Sequence, residues 1–394
     1  MARFLLLTHI YPPAVDGGSK VIFKMGEYLH SQGHEIMVIT TDASSTDDFT
    51  KKYKKITHPQ KNVLALPVVT WTHRPFKFLG CLCPNFKTLA KGPVFSLKSS
   101  FLFLVSSLRF KPDFILAGPL PTLMTPYARL IRFFSKTLKL YSPKVLINAS
   151  FHPDDPDFHT PLLKNTLKSA DFIWTLTQHE TDYFHQKFRI PKSKLLLLGN
   201  GVDSSFIKKN PSTSSSHHSF TRLLFIGSFA AHKGITTLIK AFCHLPENYQ
   251  LTLAGQKTLY FPEIKKSINS LPNSVKKRLQ LITSFPDNYL STLIDRSDVL
   301  ISPSTQESFG LVLIEALARG KPVIAANIPA SMEIIKNTRT GLIFQKDNPQ
   351  DLAQKILSLP KHLSTDLLIY SSNYLRTHYT WDKIGEKLCQ KILA

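Results

Sequence analysis

The chain reads as α/β: two Rossmann-like, doubly wound domains, each built on a parallel sheet. Three observations predict this. Short apolar runs alternate with helical patterns through the first half. A polar, serine-rich stretch without periodicity, Lys208–His218, then interrupts the pattern and reads as a linker. The same alternation restarts at Arg222. At 394 residues the chain is long enough for two proper cores.

The elements follow in order. Arg3–His9 is an apolar first strand, ended by Tyr11-Pro12-Pro13. It is too short for a secretory signal, so none is expected. Tyr11–Gly18 is a loop, and Ser19–Gln32 a helix that Gly33 closes. Glu35–Thr41 completes a βαβ unit with Gly17-Gly18 at its first turn. The full Gly-x-Gly-x-x-Gly fingerprint is missing, so no nicotinamide cofactor is expected. Further strands are expected at Asp113–Ala117, Lys144–Ala149, Asp171–Thr177 and Lys194–Leu198. Thr160-Pro161 supplies an N-cap and a proline at N1, so a helix starts there. In the second half the expected strands are Arg222–Gly227, Tyr249–Ala254, Gln280–Thr283, Asp298–Ser302 and Pro322–Ala326. Helices are expected over Gly234–His244, over Leu311–Arg319 (stopped by Gly320 and Pro322), and in the tail from Thr380. The expected division is residues 1–203, a linker over 204–221, residues 222–379, and a last helix over 380–394.

Composition excludes several classes. Four cysteines make no disulfide framework. Cys81 and Cys83 are one residue apart, and Cys243 and Cys389 stand alone, so no zinc site is expected. No apolar run reaches ~18 residues, so no spanning helix is expected. A cytoplasmic protein is the expectation. Lys and Arg total 49 against 27 Asp and Glu, a net charge of +22. Between Arg74 and Lys144 there are twelve Lys or Arg and one acid, Asp113. Aromatics such as Phe101, Phe103, Phe110, Phe133 and Phe134 interleave them. Such a belt suits an anionic membrane surface. A nucleic acid or a merely solvated basic face are the competing readings; no nucleic-acid-reading motif is present, so no nucleic-acid partner is expected.

One segment concentrates chemistry. Glu307 stands on the loop between the expected strand Asp298–Ser302 and the helix from Leu311, and Glu315 lies inside that helix. Seven intervening residues space the two carboxylates by roughly two helical turns. The amides around Ser308-Phe309-Gly310 open a helix N-terminus, which favours an anion. One carboxylate for sugar hydroxyls, bare amides for phosphate and a second carboxylate for ribose form a layout for a nucleotide-sugar. A solvated helix with two ordinary glutamates is the plain alternative.

The run from Glu307 to Ile324, Glu-Ser-Phe-Gly-Leu-Val-Leu-Ile-Glu-Ala-Leu-Ala-Arg-Gly-Lys-Pro-Val-Ile, closely resembles the glutamate-pair motif of the retaining family-4 glycosyltransferases (glycosyl transferases group 1). That resemblance implies the GT-B fold, two facing Rossmann-like domains with a cleft between them, and a last helix crossing back to the first. Gly227-Ser-Phe-Ala-Ala-His-Lys233-Gly234 resembles the family's Gly-Arg-x-x-x-x-Lys-Gly element, with Ser228 where arginine is usual. Gly17-Gly18 before a helix ending Gln-Gly-His-Glu-Ile-Met-Val-Ile-Thr is typical of its first unit, and Asn200-Gly-Val-Asp203 resembles its domain-boundary segment. Phe151-His152-Pro matches a loop whose histidine contacts the donor sugar. His159 is the alternative for that role. Asp154, Asp155 and Asp157 look like a metal cluster by composition alone, and turn-forming aspartates are commoner.

The resemblance implies these roles. His152 and Glu307 meet the sugar and carry catalysis. Gly17, Gly18, Ser228, Lys233, Phe309, Gly310 and Leu311 hold the donor diphosphate, and Glu315 holds the ribose. No metal and no cofactor are expected beyond the nucleoside-diphosphate sugar substrate. The acceptor is expected to be lipid-linked or a surface-glycan precursor, chosen by the stretch from Ser44 to about Ser142, which matches no motif. The competing functions are a GT-B nucleotide-sugar epimerase and a non-catalytic basic module on membrane or nucleic acid.

Overall fold

A computed structural model describes residues 1–13, 17–43, 55–58, 60–67, 96–120, 122–153, 156–209, 220–359 and 364–394. The chain divides into two compact units: residues 1–199 with 385–394, and residues 200–384.

The first unit is a seven-stranded parallel sheet of β1 (Arg3–Leu7), β2 (Glu35–Thr41), β3 (Val63–Leu66), β4 (Phe114–Ala117), β5 (Lys144–Asn148), β6 (Phe172–Thr175) and β7 (Leu195–Leu197). The strand order is β3-β2-β1-β4-β5-β6-β7. The chain leaves β1 on one side through β2 and β3, then returns to the other side of β1 as β4. That reversal is a topological switch point, where α/β sheets hold ligands. Phe4–Leu7 and Phe114–Ala117 are buried. Such unbroken apolar strands suit a sheet covered on both faces and no other arrangement as well.

The second unit repeats the plan with six parallel strands: β8 (Thr221–Ile226), β9 (Tyr249–Ala254), β10 (Leu279–Ile282), β11 (Val299–Ser302), β12 (Val323–Ala326) and β13 (Gly341–Phe344). Their order is β10-β9-β8-β11-β12-β13, so the switch point lies between β8 and β11.

One device recurs at the amino-terminal edges. Asp113, Asp171 and Asp298 each stand one residue before a strand. Each accepts a 2.8 Å bond from a backbone N–H at the start of the neighbouring strand: Arg3, Val145 and Arg222 respectively. An N–H that the ladder leaves over is thereby satisfied by a charged acceptor. Arg132 and Arg222 then neutralise two of these aspartates at 2.7 and 2.9 Å.

The observed strands match the expected ones with shifted ends, while β3 and β13 were not foreseen. Both are four-residue edge strands, only partly buried, so their apolar signal is weak. The first helix spans Gly17–Ser31, so Gly17 and Gly18 lie in its first turn rather than in the preceding loop. Gly33 closes it with φ 79°. Part of the expected linker is packed on the second unit: Ile207 is buried and the Lys208 N–H donates to the Ala318 carbonyl at 2.7 Å. Residues 210–219 lie outside the described residues. The last helix runs Trp381–Ile392, and its Gly385 packs against the Tyr28 ring of the first unit. Of the basic belt, residues 68–95, with Cys81 and Cys83, also lie outside; helices Leu97–Phe110 and Met124–Thr137 represent the rest.

Burial pushes the hydroxyls of Tyr11, Tyr141 and Tyr379 up to about 12. In the unfolded chain these phenols ionise near 10, so the neutral form is favoured by the fold. Their contribution is fully present below pH ~10 and is lost as pH rises towards ~12. Urea midpoints should therefore stay level from neutral pH to about 9.5 and fall between ~10 and ~12. A flat profile through that window would show these rings to be accessible.

Candidate functional site

The loops after β8 and β11 emerge side by side because their strands are neighbours. Their fit is tight. Gly234 has φ 62°, and a Cβ there would stand 2.0 Å from the Pro303 carbonyl oxygen. The Thr305 N–H donates to the His232 carbonyl at 2.8 Å, and its hydroxyl to the same oxygen at 3.2 Å. Phe229 is fully buried and anchors the first loop, whose Phe229 N–H donates to the Gln256 carbonyl at 2.8 Å. The consequence is a direct contact: Lys233 Nζ lies 2.5 Å from Glu307 Oε2, with side chains 19% and 18% exposed. Lys233 and Glu307 were expected to act on different parts of a ligand; the fold brings them together. Ser228 is half-buried on the same loop, and His232 is exposed.

The second loop is held by Phe309, which is 2% exposed and meets Tyr379 edge-on at 5.5 Å. Gly310 caps helix Leu311–Ala318 with φ 96°, a conformation that strains any side-chain-bearing residue. A glycine cap carries no side chain to occupy the first-turn amides, so the helix end keeps its affinity for an anion. The helix begins at Leu311 as expected, so Glu307 precedes the cap by three residues and Glu315 sits in the second turn. Glu315 is 8% exposed, a carboxylate among buried Leu313, Ile314, Ala316, Leu317 and Ala318.

The remaining candidates lie in the first unit. Gly18 packs on the Pro119 ring after β4, 2.5 Å from an added Cβ, so Gly17 and Gly18 stand at that unit's switch point. His152 follows β5, half-buried, with its ring edge-on to Phe158 at 5.6 Å. His159 is exposed and its Nε2 lies 2.7 Å from the Pro153 carbonyl oxygen, while its ring packs on Phe151 and Phe188. That engagement ties His159 to its own loop. Asp154 and Asp155 fall outside the described residues, among which no cluster of three or more His, Cys, Asp or Glu could hold a metal ion.

Two features escaped sequence reasoning. The Lys233–Glu307 contact joins residues 74 apart and left no local signal. Glu180 is a buried carboxylate bonded to the Phe151 N–H at 2.7 Å and to the Leu176 N–H. Thr177-x-x-Glu180 carries the capping-box pattern that could have drawn attention to it.

Residues 207–363 match the family described as Glycosyl transferases group 1. An uncharacterized glycosyltransferase of Methanocaldococcus jannaschii is 30% identical over 205 residues, 50% of this chain and 55% of that protein. A glycogen synthase of Mycobacterium tuberculosis is 23% identical over 379 residues, 91% of this chain and 86% of that protein. Among solved structures, Anabaena HepE in complex with UDP-glucose superposes with a TM-score of 0.73 at 17% identity, covering 100% of both chains. The fold is GT-B, and the match to glycosyl transferases group 1 lies within the second unit.

The loop fit yields a paired prediction. Gly234→Ala places a methyl group against a backbone carbonyl that cannot rotate away, and should cost about 2–4 kcal/mol. Gly17→Ala meets nothing within 4 Å and should be close to neutral. Equal urea midpoints for the two variants would disprove the close approach at Pro303.

Proposed function

We propose that the protein is a retaining, metal-independent glycosyltransferase that moves a sugar from a nucleoside-diphosphate sugar to an acceptor. The observation that carries this reading is the Lys233–Glu307 pair beside a glycine-capped helix N-terminus. It unites one cation, one carboxylate and unblocked amides on two neighbouring loops. In this reading Lys233 and the amides of Phe309, Gly310 and Leu311 take the charge that develops on the leaving diphosphate, helped by Ser228 and by Gly17 and Gly18. Glu315 accepts from the ribose hydroxyls. Glu307 accepts from sugar hydroxyls and leaves Lys233 to the phosphates when donor arrives. His152 donates to the sugar as its anomeric carbon passes through an oxocarbenium-like state. Retention follows from acceptor attack on the face the diphosphate leaves. HepE, solved with UDP-glucose, supports the donor class.

The acceptor is proposed to be lipid-linked, with the protein peripheral on the cytoplasmic face of an anionic membrane. Helices Leu97–Phe110 and Met124–Thr137 support this. They pack on each other through Phe103 and Tyr127, whose rings lie 5.2 Å apart. Outward they present Phe101, 69% exposed, and Phe133, 60% exposed. Lys98, Arg109, Arg129, Lys136 and Lys139 are exposed on and beside the same two helices. Among the described residues no helix is long and apolar enough to cross a membrane.

The deciding experiment incubates the protein, with EDTA present, with labelled UDP-glucose, UDP-galactose, GDP-mannose and ADP-glucose. Transfer or slow hydrolysis of one donor, releasing the nucleoside diphosphate, is expected. Epimer formation would replace this reading with an epimerase, and no turnover with a binding module. With the donor in hand, Glu315→Ala should weaken nucleoside-diphosphate binding about tenfold. Glu307→Ala and His152→Ala should each cut kcat ~100-fold and leave diphosphate affinity within about threefold. Ser228→Arg should tighten diphosphate binding by adding the missing cation.

The membrane reading has its own test. The protein should sediment with vesicles rich in phosphatidylserine, much less with phosphatidylcholine, and leave them as salt shortens the Debye length. Reversing Lys98, Arg129, Lys136 and Lys139 to Glu should abolish sedimentation without changing nucleotide affinity. Indifference of the wild type to anionic vesicles at low salt would instead favour a soluble acceptor.

A further inference from the structure

We infer that Glu180 is a positioning residue for the sugar-facing loop: its carboxylate staples the turn that carries His152. The inference rests on the proposed role of His152 and adds the group that holds it in place.

Glu180 is 3% exposed, and burying a carboxylate is unfavourable unless its oxygens are well bonded. Both are. Oε1 accepts from the Phe151 N–H at 2.7 Å, the residue before His152. Oε2 accepts from the Leu176 N–H, just past β6. One carboxylate therefore joins the loops following two adjacent strands. It is itself fixed at N3 of helix Gln178–Phe188, where its own N–H donates to the Thr177 hydroxyl at 3.1 Å. A negative charge in the first turn is favoured by the helix dipole.

The loop needs holding. Ser150 has φ 44°, a left-handed conformation that is unfavourable for a side-chain-bearing residue. Its hydroxyl donates to Asn148 Oδ1 at 2.9 Å. Phe151 is 2% exposed among Phe158, Phe184 and Phe188. The chain thus runs through a strained residue, a buried ring and a bonded amide before releasing His152. Without Glu180 the amides of Phe151 and Leu176 lose a charged acceptor, and Ser150 can relax to an extended conformation that redirects His152. Residues in such conformations persist where surrounding contacts hold them, and they cluster at functional loops.

The test uses the full chain and the sugar nucleotide turned over in the donor panel. Glu180→Gln keeps the shape but offers one N–H acceptor where there were two. Its kcat should fall about tenfold or more, with donor KM and diphosphate affinity within about threefold. Because Glu180 acts through His152, the double variant with His152→Ala should be no slower than His152→Ala alone. Wild-type kcat in Glu180→Gln, or independent multiplication of the two losses, would overturn the inference while leaving the function intact. Wild-type kcat in His152→Ala would remove the premise itself. Amide hydrogen exchange of the wild type supplies an arm that needs neither a donor nor a stable variant. The Phe151 amide should exchange as slowly as those of helix Gln178–Phe188, and rapid exchange there would show that no staple exists.

Discussion

The close approach of two loops, Gly234 against Pro303, is the constraint from which the second unit's chemistry follows. A parallel sheet with its switch point between β8 and β11 makes those strands neighbours although more than seventy residues separate them. The loops leaving them must share the same ground. Only a residue without Cβ lets the first loop lie flat on the backbone of the second. Once it does, the hydrogen bonds from Thr305 to the His232 carbonyl set the register between the loops. Lys233 and Glu307 then meet at hydrogen-bonding distance. The pair is shielded but not sealed, and in the proposed reading a ligand with its own negative charge and hydroxyls satisfies both groups in turn.

The two units divide labour between sheet edges in the same way. At the amino-terminal edge, Asp113, Asp171 and Asp298 close the strand starts with charged bonds to neighbouring backbone amides. That edge is finished structure. At the carboxyl edge the loops are longer, hold strained or glycine residues and carry the candidate groups: Gly17 and Gly18 after β1, His152 after β5, Lys233 after β8 and Glu307 after β11. Glu180 departs from the division. It is a buried carboxylate at the carboxyl edge, bonded to backbone amides as the three aspartates are, but serving a loop rather than a strand.

The positive charge of the chain falls into two groups by where it sits. A few cations are committed internally: Arg132 to Asp171, Arg222 to Asp298, Arg319 to Asp295, Lys233 to Glu307. Others sit on helices Leu97–Phe110 and Met124–Thr137 beside large exposed rings. Aromatic side chains exposed next to cations are the feature on which the proposed membrane docking rests.

Much of the fold was legible in the residues because parallel strands buried on both faces are near-continuous apolar runs. Leu5–Leu7, Ile115–Ala117 and Val299–Ile301 announce themselves in this way, and Gly33, Thr160 and Gly320 mark helix ends by local chemistry. Edge strands β3 and β13 were missed because half-exposed four-residue runs resemble loops. Local order (a strand end, a glycine, a helix start) made Glu307, Glu315 and Lys233 candidates, and the resemblance of the flanking motifs to the group 1 glycosyltransferases suggested their roles. What the tertiary structure alone decided were the meetings between distant residues, Lys233 with Glu307 and Glu180 with Phe151. Local sequence sets which backbone shape each segment prefers. Strand order sets which segments become neighbours, and that depends on the summed packing of the whole sheet.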